Sequence, residues 1–357
     1  MKKKYFVPLT GLRTIAASMV FFHHFNPFKQ GSFLFNFVNE FHIGVTVFFV
    51  LSGFLIGFRY SDKNINYKQY FTNRFARIYP VFFIITVLTY IVYPALSKFE
   101  LFLNFTLLKG FFQDYKFSGI SQGWTLTVEE CFYAFALLLF FLVKKNKISL
   151  IVILPFILLL SGFLMTLIFK NYNFNGFINN MELVVNYTFL GRSFEFISGF
   201  LVAHYLPKLK SNFKYFTYIG VIGMFISIIL LIHFKGNNDF GIRTIQGKLI
   251  NNYFLPVFGV IPLIYGLISE RNIISKLLST DFFELLGKSS YTFYLVYMGV
   301  IQIFISTFIP SYFILFIVMQ ILSIVIFRYY EEPMNTLIKK MFAKRESKLM
   351  TLKDRIE

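Results

Sequence analysis

The sequence predicts an all-α, polytopic integral membrane bundle of about ten transmembrane helices, with both termini cytoplasmic. Three observations predict it. Apolar residues make up 56% of the 357-residue chain and charged residues only 15%, far from the balance of a soluble domain. Apolar stretches long enough to cross a bilayer recur from end to end, and a helix satisfies its own backbone there. The basic residues are sided: segments assigned to the cytoplasm hold roughly three times as many Lys and Arg as the eight in the opposite loops. The net charge of +18 is therefore topogenic, with lipid contact as a further use, and it does not point to a nucleic-acid partner.

The spans read as 6–25, 41–58, 78–96, 125–143, 149–169, 186–206, 216–234, 253–268, 285–305 and 312–330. The first follows Lys2, Lys3 and Lys4 and imitates a signal peptide. It lacks a small-residue cleavage site and is interrupted by Arg13, so it reads as uncleaved. The second carries Ser52 and Gly53, which allow close helix packing. Arg74 and Arg77 stand at the cytoplasmic end of the third, and Trp124, an interfacial anchor or a site residue, opens the fourth. The fifth and seventh contain no Asp, Glu, Lys or Arg. The sixth places Arg192, Glu195 and Gly199 on one stripe, where a self-contained salt bridge is the plain alternative to a site. The eighth and ninth are apolar spans after polar segments, and the tenth leads into a lysine-rich tail. The organisation is one membrane domain, 1–334, and a basic cytoplasmic tail, 335–357.

Between spans, residues 97–123 form a long outer loop whose apolar part, 101–112, is too short to cross; a re-entrant or interfacial helix is expected there. The loops 170–185 and 236–252 are polar and read either as a roof for a hydrophilic acceptor or as ordinary solvated loops. No convincing internal repeat is present, which weakens a transporter built on inverted repeats. The single cysteine, Cys131, excludes an internal disulfide and a multi-cysteine metal site, so no metal is expected.

The polar content of the first span is its most informative feature. Arg13 and His24 are eleven residues apart, which returns them to nearly one helix face about 16 Å apart along the axis. A charge inside a bilayer costs several kcal/mol and persists where a cavity, partner or substrate uses it. His23 points about 100° away and is the weaker candidate.

Several motifs occur in a fixed order. Leu9-Thr10-Gly11-Leu12-Arg13, with His24 after ten further residues, opens the series. Gly44-Val45-Thr46-Val47-Phe48-Phe49-Val50-Leu51-Ser52-Gly53-Phe54 follows, then Arg74-Phe75-Ala76-Arg77. Gly123-Trp124-Thr125-Leu126-Thr127-Val128-Glu129-Glu130-Cys131-Phe132-Tyr133 comes next, and Gly287-Lys288-Ser289-Ser290-Tyr291-Thr292-Phe293-Tyr294 and Glu332-Pro333 close it. Together they resemble the acyltransferase 3 family of membrane O-acyltransferases, over about residues 8–334. After Tyr294-Leu295-Val296 the family commonly places His then Pro; here Tyr297-Met298 stands instead.

The resemblance implies transfer of an acyl group, most readily acetyl, from cytosolic acetyl-CoA to a hydroxyl of an extracytoplasmic glycan. The cell membrane of a bacterium is the implied location, and a glycan or lipid-linked sugar the implied acceptor. Some relatives carry a further esterase-like domain outside the membrane; this sequence reads as a stand-alone form, with any such partner encoded separately. His24 suits a general base, since its ordinary pKa lies near working pH. Glu129 is the expected partner of His24 or Arg13, and a carboxylate on an imidazole fixes its tautomer. Arg13 would bind an anion or orient that carboxylate. Arg74 and Arg77, at i and i+3, suit the phosphates of acyl-CoA. Ser52, Trp124, Tyr133, Arg192, Glu195, Tyr291 and Tyr294 are supporting or substrate-binding candidates. The rival reading is a transporter or export subunit for a polysaccharide or lipid-linked sugar.

Overall fold

A computed structural model describes residues 5–60, 65–172, 174–206 and 213–353, with side chains to 344. The N-terminal lysines and residues 354–357 of the tail lie outside them. The principal helices are α1 (Val7–His24), α2 (Gly44–Tyr60), α3 (Tyr67–Val92), α4 (Trp124–Lys144), α5 (Ile148–Phe169), α6 (Phe189–Tyr205), α7 (Phe216–Phe234), α8 (Ile245–Ser269), α9 (Asp281–Val296), α10 (Val300–Ser306), α11 (Tyr312–Ile326) and α12 (Glu332–Lys353). Shorter helices cover Phe33–Asn39, Lys98–Phe105, Met181–Tyr187 and Ile273–Leu277. Among the described residues there is no strand, only an isolated bridge between Phe112 and Phe177.

The polytopic helical bundle stands as the sequence predicts. Among the described residues seven helices are long and apolar enough to cross a membrane, and the bent pair α9–α10 makes an eighth. The other two expected spans are also helical, but they are the ones that carry polar groups. Within its 18 residues α1 holds Arg13, His23 and His24, and α6 has 17 residues with Arg192 and Glu195 inside. Buried polar groups within each, and the shortness of α6, set them apart from the longer apolar helices. In contrast, α5 turns most of its surface outward: only 22% of its most apolar window is buried, as a lipid-facing helix requires.

Helix contacts are set by glycine. A Cβ at Gly53 would overlap the Phe196 carbonyl, and one at Gly199 would overlap the Val50 carbonyl, so α2 and α6 pack backbone to backbone. The same device joins α1 to α9, where a Cβ on Gly287 would strike the Thr10 carbonyl. At the head of α2, a Cβ on Gly44 would meet the Ala16 carbonyl, fixing the register of α2 against α1.

Three sequence expectations change. The segment 236–252 is not all solvated loop: α8 begins at Ile245, and Asn251 and Asn252 are fully buried inside the bundle. Residues Ile250–Val260 wind as a π-helix around Pro256, since proline withholds a helical N–H and loosens the ladder. The ninth span is not straight: α9 and α10 meet at 88° around Gly299, whose φ of +113° suits only glycine. In the outer loop 97–123, helix forms at Lys98–Phe105 but stops before Leu107, which has φ +57°. The remainder, with short 3-10 turns at Lys109–Phe111 and Ser121–Gly123, buries Lys109, Lys116, Ile120 and Gln122.

Candidate active site

The predicted site residues fall mainly in three polar clusters. The first is the C-terminal end of α1. His24 is exposed there, and its Nδ1 lies 2.9 Å from the Val20 carbonyl. A carbonyl oxygen only accepts, so Nδ1 carries the proton and donates it, leaving the Nε2 lone pair free. His23 is half-buried and its Nδ1 likewise donates to the Asn39 carbonyl at 2.6 Å. Its ring is boxed by His42 and Phe240, at centroid distances of 5.4 Å each. His24 is thus the histidine whose free nitrogen can meet a ligand. The segment that follows is stapled down: buried Glu40 accepts from His42 Nε2 at 3.0 Å and from the Gly241 N–H at 2.8 Å. Nothing in the sequence flagged Glu40 or His42, because the contacts that tie their segment down, Gly241 to Glu40 and Phe240 to His42, come from a loop some two hundred positions away.

The second cluster lies deeper, between α2, α3 and α4. Glu129 receives the Tyr133 hydroxyl one helical turn away and the Ser52 hydroxyl at 3.4 Å. Arg74 is buried and its guanidinium sits over the Tyr133 ring, 5.2 Å from the centroid. Its Nε has no hydrogen-bond partner, and neither has the buried Nε of Arg13. Arg77 is half-buried on the same side of α3. Buried guanidinium N–H groups left unbonded are costly in a finished protein and suit an anionic ligand. Tyr291 and Tyr294 line the same core: the Tyr291 hydroxyl donates to the Ile78 carbonyl at 2.7 Å, and the Tyr294 hydroxyl receives Thr125 at 3.1 Å. Both rings thereby tie α9 to α3 and α4. Trp124 stacks edgewise on Tyr187 at 4.9 Å, at the N-terminus of α4.

The structure does not bring His24 and Glu129 together. Gly44 packs beside Ala16 and α2 runs antiparallel to α1. Eight residues of rise separate Gly44 from Ser52 in one direction, and eight separate Ala16 from His24 in the other, so Ser52 and its partner Glu129 lie roughly 20 Å from His24. Among the described residues no hydrogen bond or ion pair joins Glu129 to His24 or to Arg13. The carboxylate pairs with the hydroxyls that α2 and its own helix present.

The third cluster joins α6, α2 and α8. Arg192 donates to Glu195 at 2.6 and 2.8 Å and to Thr46 at 3.0 Å, and its guanidinium covers Phe49. Thr46 donates onward to Glu195 at 2.8 Å, and the π-wound Asn251 and Asn252 extend the network. Glu331, rather than the motif residue Glu332, is the buried carboxylate at the end of the π-helical turn Phe327–Glu331 that links α11 to α12, where it receives the Thr292 hydroxyl.

Lys109 also escaped the sequence reading, because one lysine in a loop carries no pattern. It is fully buried, and its Nζ donates to the carbonyls of Ser118 and Ile120. Burial pushes its pKa down to about 7, against the smaller upward pull of Glu100. A neutral amine keeps two N–H donors, as many as the carbonyls it serves. The unfolded chain holds this proton up to the ordinary lysine range and the folded chain releases it near pH 7. Stability from this group therefore rises as pH increases from about 7 towards 10, by at most about 1.4 kcal/mol per unit, and is flat below 7. Melting of purified protein between pH 7 and 10 should show the rise, and Lys109→Met should remove it; an identical pH profile in the two proteins would contradict the burial argument.

Against this geometry stand the known proteins. A family model described as an acyltransferase domain matches residues 8–328. The chain is 27% identical over 333 residues to the peptidoglycan O-acetyltransferase OatA of Listeria monocytogenes, covering 84% of this chain and 50% of that protein. It is 24% identical over 331 residues to YrhL of Bacillus subtilis, covering 84% and 49%. The ORF330 protein of Acidianus two-tailed virus is 30% identical over 165 residues, 43% of this chain and 46% of that one. The chain spans about half the length of these curated relatives. No solved structure matches it. With a match that runs through nearly every principal helix, this polytopic membrane protein belongs to the acyltransferase 3 family.

Proposed function

We propose that the protein is a membrane O-acyltransferase that moves an acetyl group from cytosolic acetyl-CoA to a hydroxyl of an extracytoplasmic glycan, at the bacterial cytoplasmic membrane. The observation that carries this reading is His24: its tautomer is fixed by the Val20 carbonyl and its Nε2 is free at the accessible end of α1. In the reaction the acceptor hydroxyl gives its proton to Nε2 while its oxygen attacks the thioester carbonyl. The carbon–sulfur bond then breaks and CoA leaves as the thiolate. The unbonded Nε atoms of Arg13 and Arg74, with Arg77 nearby, support binding of the anionic donor from the opposite side. The roughly 20 Å between the two clusters suits a donor with phosphates at one end and a thioester at the tip of a long arm. The name of OatA supports a wall glycan as the acceptor class.

The test uses sealed vesicles containing the protein, acetyl-CoA labelled in its acetyl group, and the cell's own glycan fraction as acceptor. Label should reach the glycan with wild type and not with vesicles lacking the protein. Equal labelling by wild type and His24→Ala at matched protein level would remove His24 from the chemistry. In parallel vesicles given a labelled lipid-linked sugar, sugar crossing the membrane without acetyl transfer would favour export instead.

A further inference from the structure

We infer that Tyr297 is a positioning residue for His24: its hydroxyl accepts from the Nδ1–H of the imidazole, holds Nε2 outward and shares the positive charge when Nε2 takes a proton. The inference rests on the reading of His24 as the base.

The ring of Tyr297 is fully buried at the C-terminus of α9. Its hydroxyl lies 3.4 Å from His24 Nδ1, with ring centroids 5.7 Å apart. Because the Val20 carbonyl, at 2.9 Å, already requires the proton on Nδ1, the phenol oxygen stands on the accepting side. The contact is long, as hydrogen bonds of a resting site often are before they tighten around substrate. A hydroxyl in an apolar box needs a partner, and the walls here are Phe21, Phe25 and Phe293, at centroid distances of 6.0, 6.5 and 5.9 Å. His24 is the partner this box offers.

The backbone around Tyr297 is built to hold it still. Gly299 turns the chain through 88° two residues later. Gln122, from the outer loop, donates through Nε2 to the carbonyls of Tyr294, Leu295 and Met298, at 2.9, 3.0 and 3.3 Å, and so caps the end of α9. Tyr297 occupies the position where the family commonly has His. An imidazole there would also present a polar atom towards His24, so the two residues answer one requirement with different chemistry. The carboxylate that fixes the histidine in a hydrolase triad has no counterpart here, since Glu129 is far away; a carbonyl and a phenol take its place.

The titratable groups around His24 are His23 beside it on α1, His42 with Glu40 from the outer segment, and Tyr297 and Tyr294 from α9, with Tyr312 of α11 reaching Phe25. None of these is a carboxylate in contact with the imidazole. Loss of the phenol oxygen therefore removes a group that favours imidazolium over imidazole, and the His24 titration should move to lower pH.

The experiment uses full-length protein in lipid nanodiscs with 15N-labelled histidine, the His24 signals being assigned by their loss in His24→Gln. Wild type should show the proton on Nδ1. Tyr297→Phe should lower the His24 titration midpoint by about half a pH unit and move the acid limb of acetyl transfer the same way. It should also reduce kcat by about 10-fold while KM for acetyl-CoA stays within about twofold. Tyr297→His should regain most of kcat, which also controls for folding. An unchanged His24 midpoint in Tyr297→Phe overturns the inference, because a merely structural tyrosine would leave titration alone. If the midpoint moves but His24→Gln transfers acetyl at the wild-type rate, the contact exists and the catalytic reading of His24 fails, taking the positioning role with it.

Discussion

Glu195→Ala is expected to cost about 3–5 kcal/mol and to lower the melting temperature of the purified protein by about 10 °C or prevent its recovery as a single species. Glu195 is completely enclosed and Arg192 is 2% exposed. Their two hydrogen bonds, 2.6 and 2.8 Å, neutralise a guanidinium for which water is out of reach. Removing the carboxylate leaves that cation with only Thr46 and the face of Phe49, neither of which carries the opposite charge. The helices cannot part to admit solvent, because Gly53 and Gly199 hold α2 and α6 in backbone contact. The double variant Arg192→Met, Glu195→Leu should recover most of the loss, since well-packed apolar residues replace a buried pair at little cost. Fluorescence-detected gel filtration and melting of the three proteins decide it. A single variant that melts like wild type would show the pair to be dispensable to the fold. A stable double variant with no acetyl transfer would make the pair part of the active site.

His24→Ala is expected to lower acetyl transfer by about 10²–10⁴-fold with little change in melting. The two halves of this expectation have one source. His24 lies at the accessible end of α1, where its removal leaves no large cavity, and its hydrogen bond to Val20 returns a carbonyl that can bond water instead. The free Nε2 has no protein partner to strand. A loss of activity without a loss of stability is therefore the signature of chemistry rather than of packing. Initial rates of glycan labelling, set beside melting curves, measure both. A drop in melting temperature as large as that of Glu195→Ala would reassign His24 to the fold.

Local spacing, read from the sequence alone, determined the helical spans and the faces of the residues within them. Arg192 and Glu195 are three residues apart, and any α-helix brings such a pair together, so their salt bridge was legible. The shared stripe of Glu129 and Tyr133 was legible for the same reason. The motifs, taken in order along the chain, carried the resemblance to the family, and the family match covers residues 8–328.

What tertiary structure decided is which stripe meets which. Glu129 bonds Ser52 rather than His24 because Gly44 sets α2 against Ala16, and that register follows from glycine contacts between helices distant in sequence. Asn251 and Asn252 read as loop residues, but the wide winding before Pro256 draws them into the bundle beside Arg192 and Thr46. Tyr297 read as a departure from a family pattern; the bend at Gly299 and the cap from Gln122 set its hydroxyl on His24. Lys109 gave no signal at all, since its acceptors are two carbonyls of a loop. Hydrophobic periodicity specifies the face a residue occupies on its own helix, but the partner opposite is chosen by packing between helices, where backbone shape and close approach are settled by contacts distant in the chain.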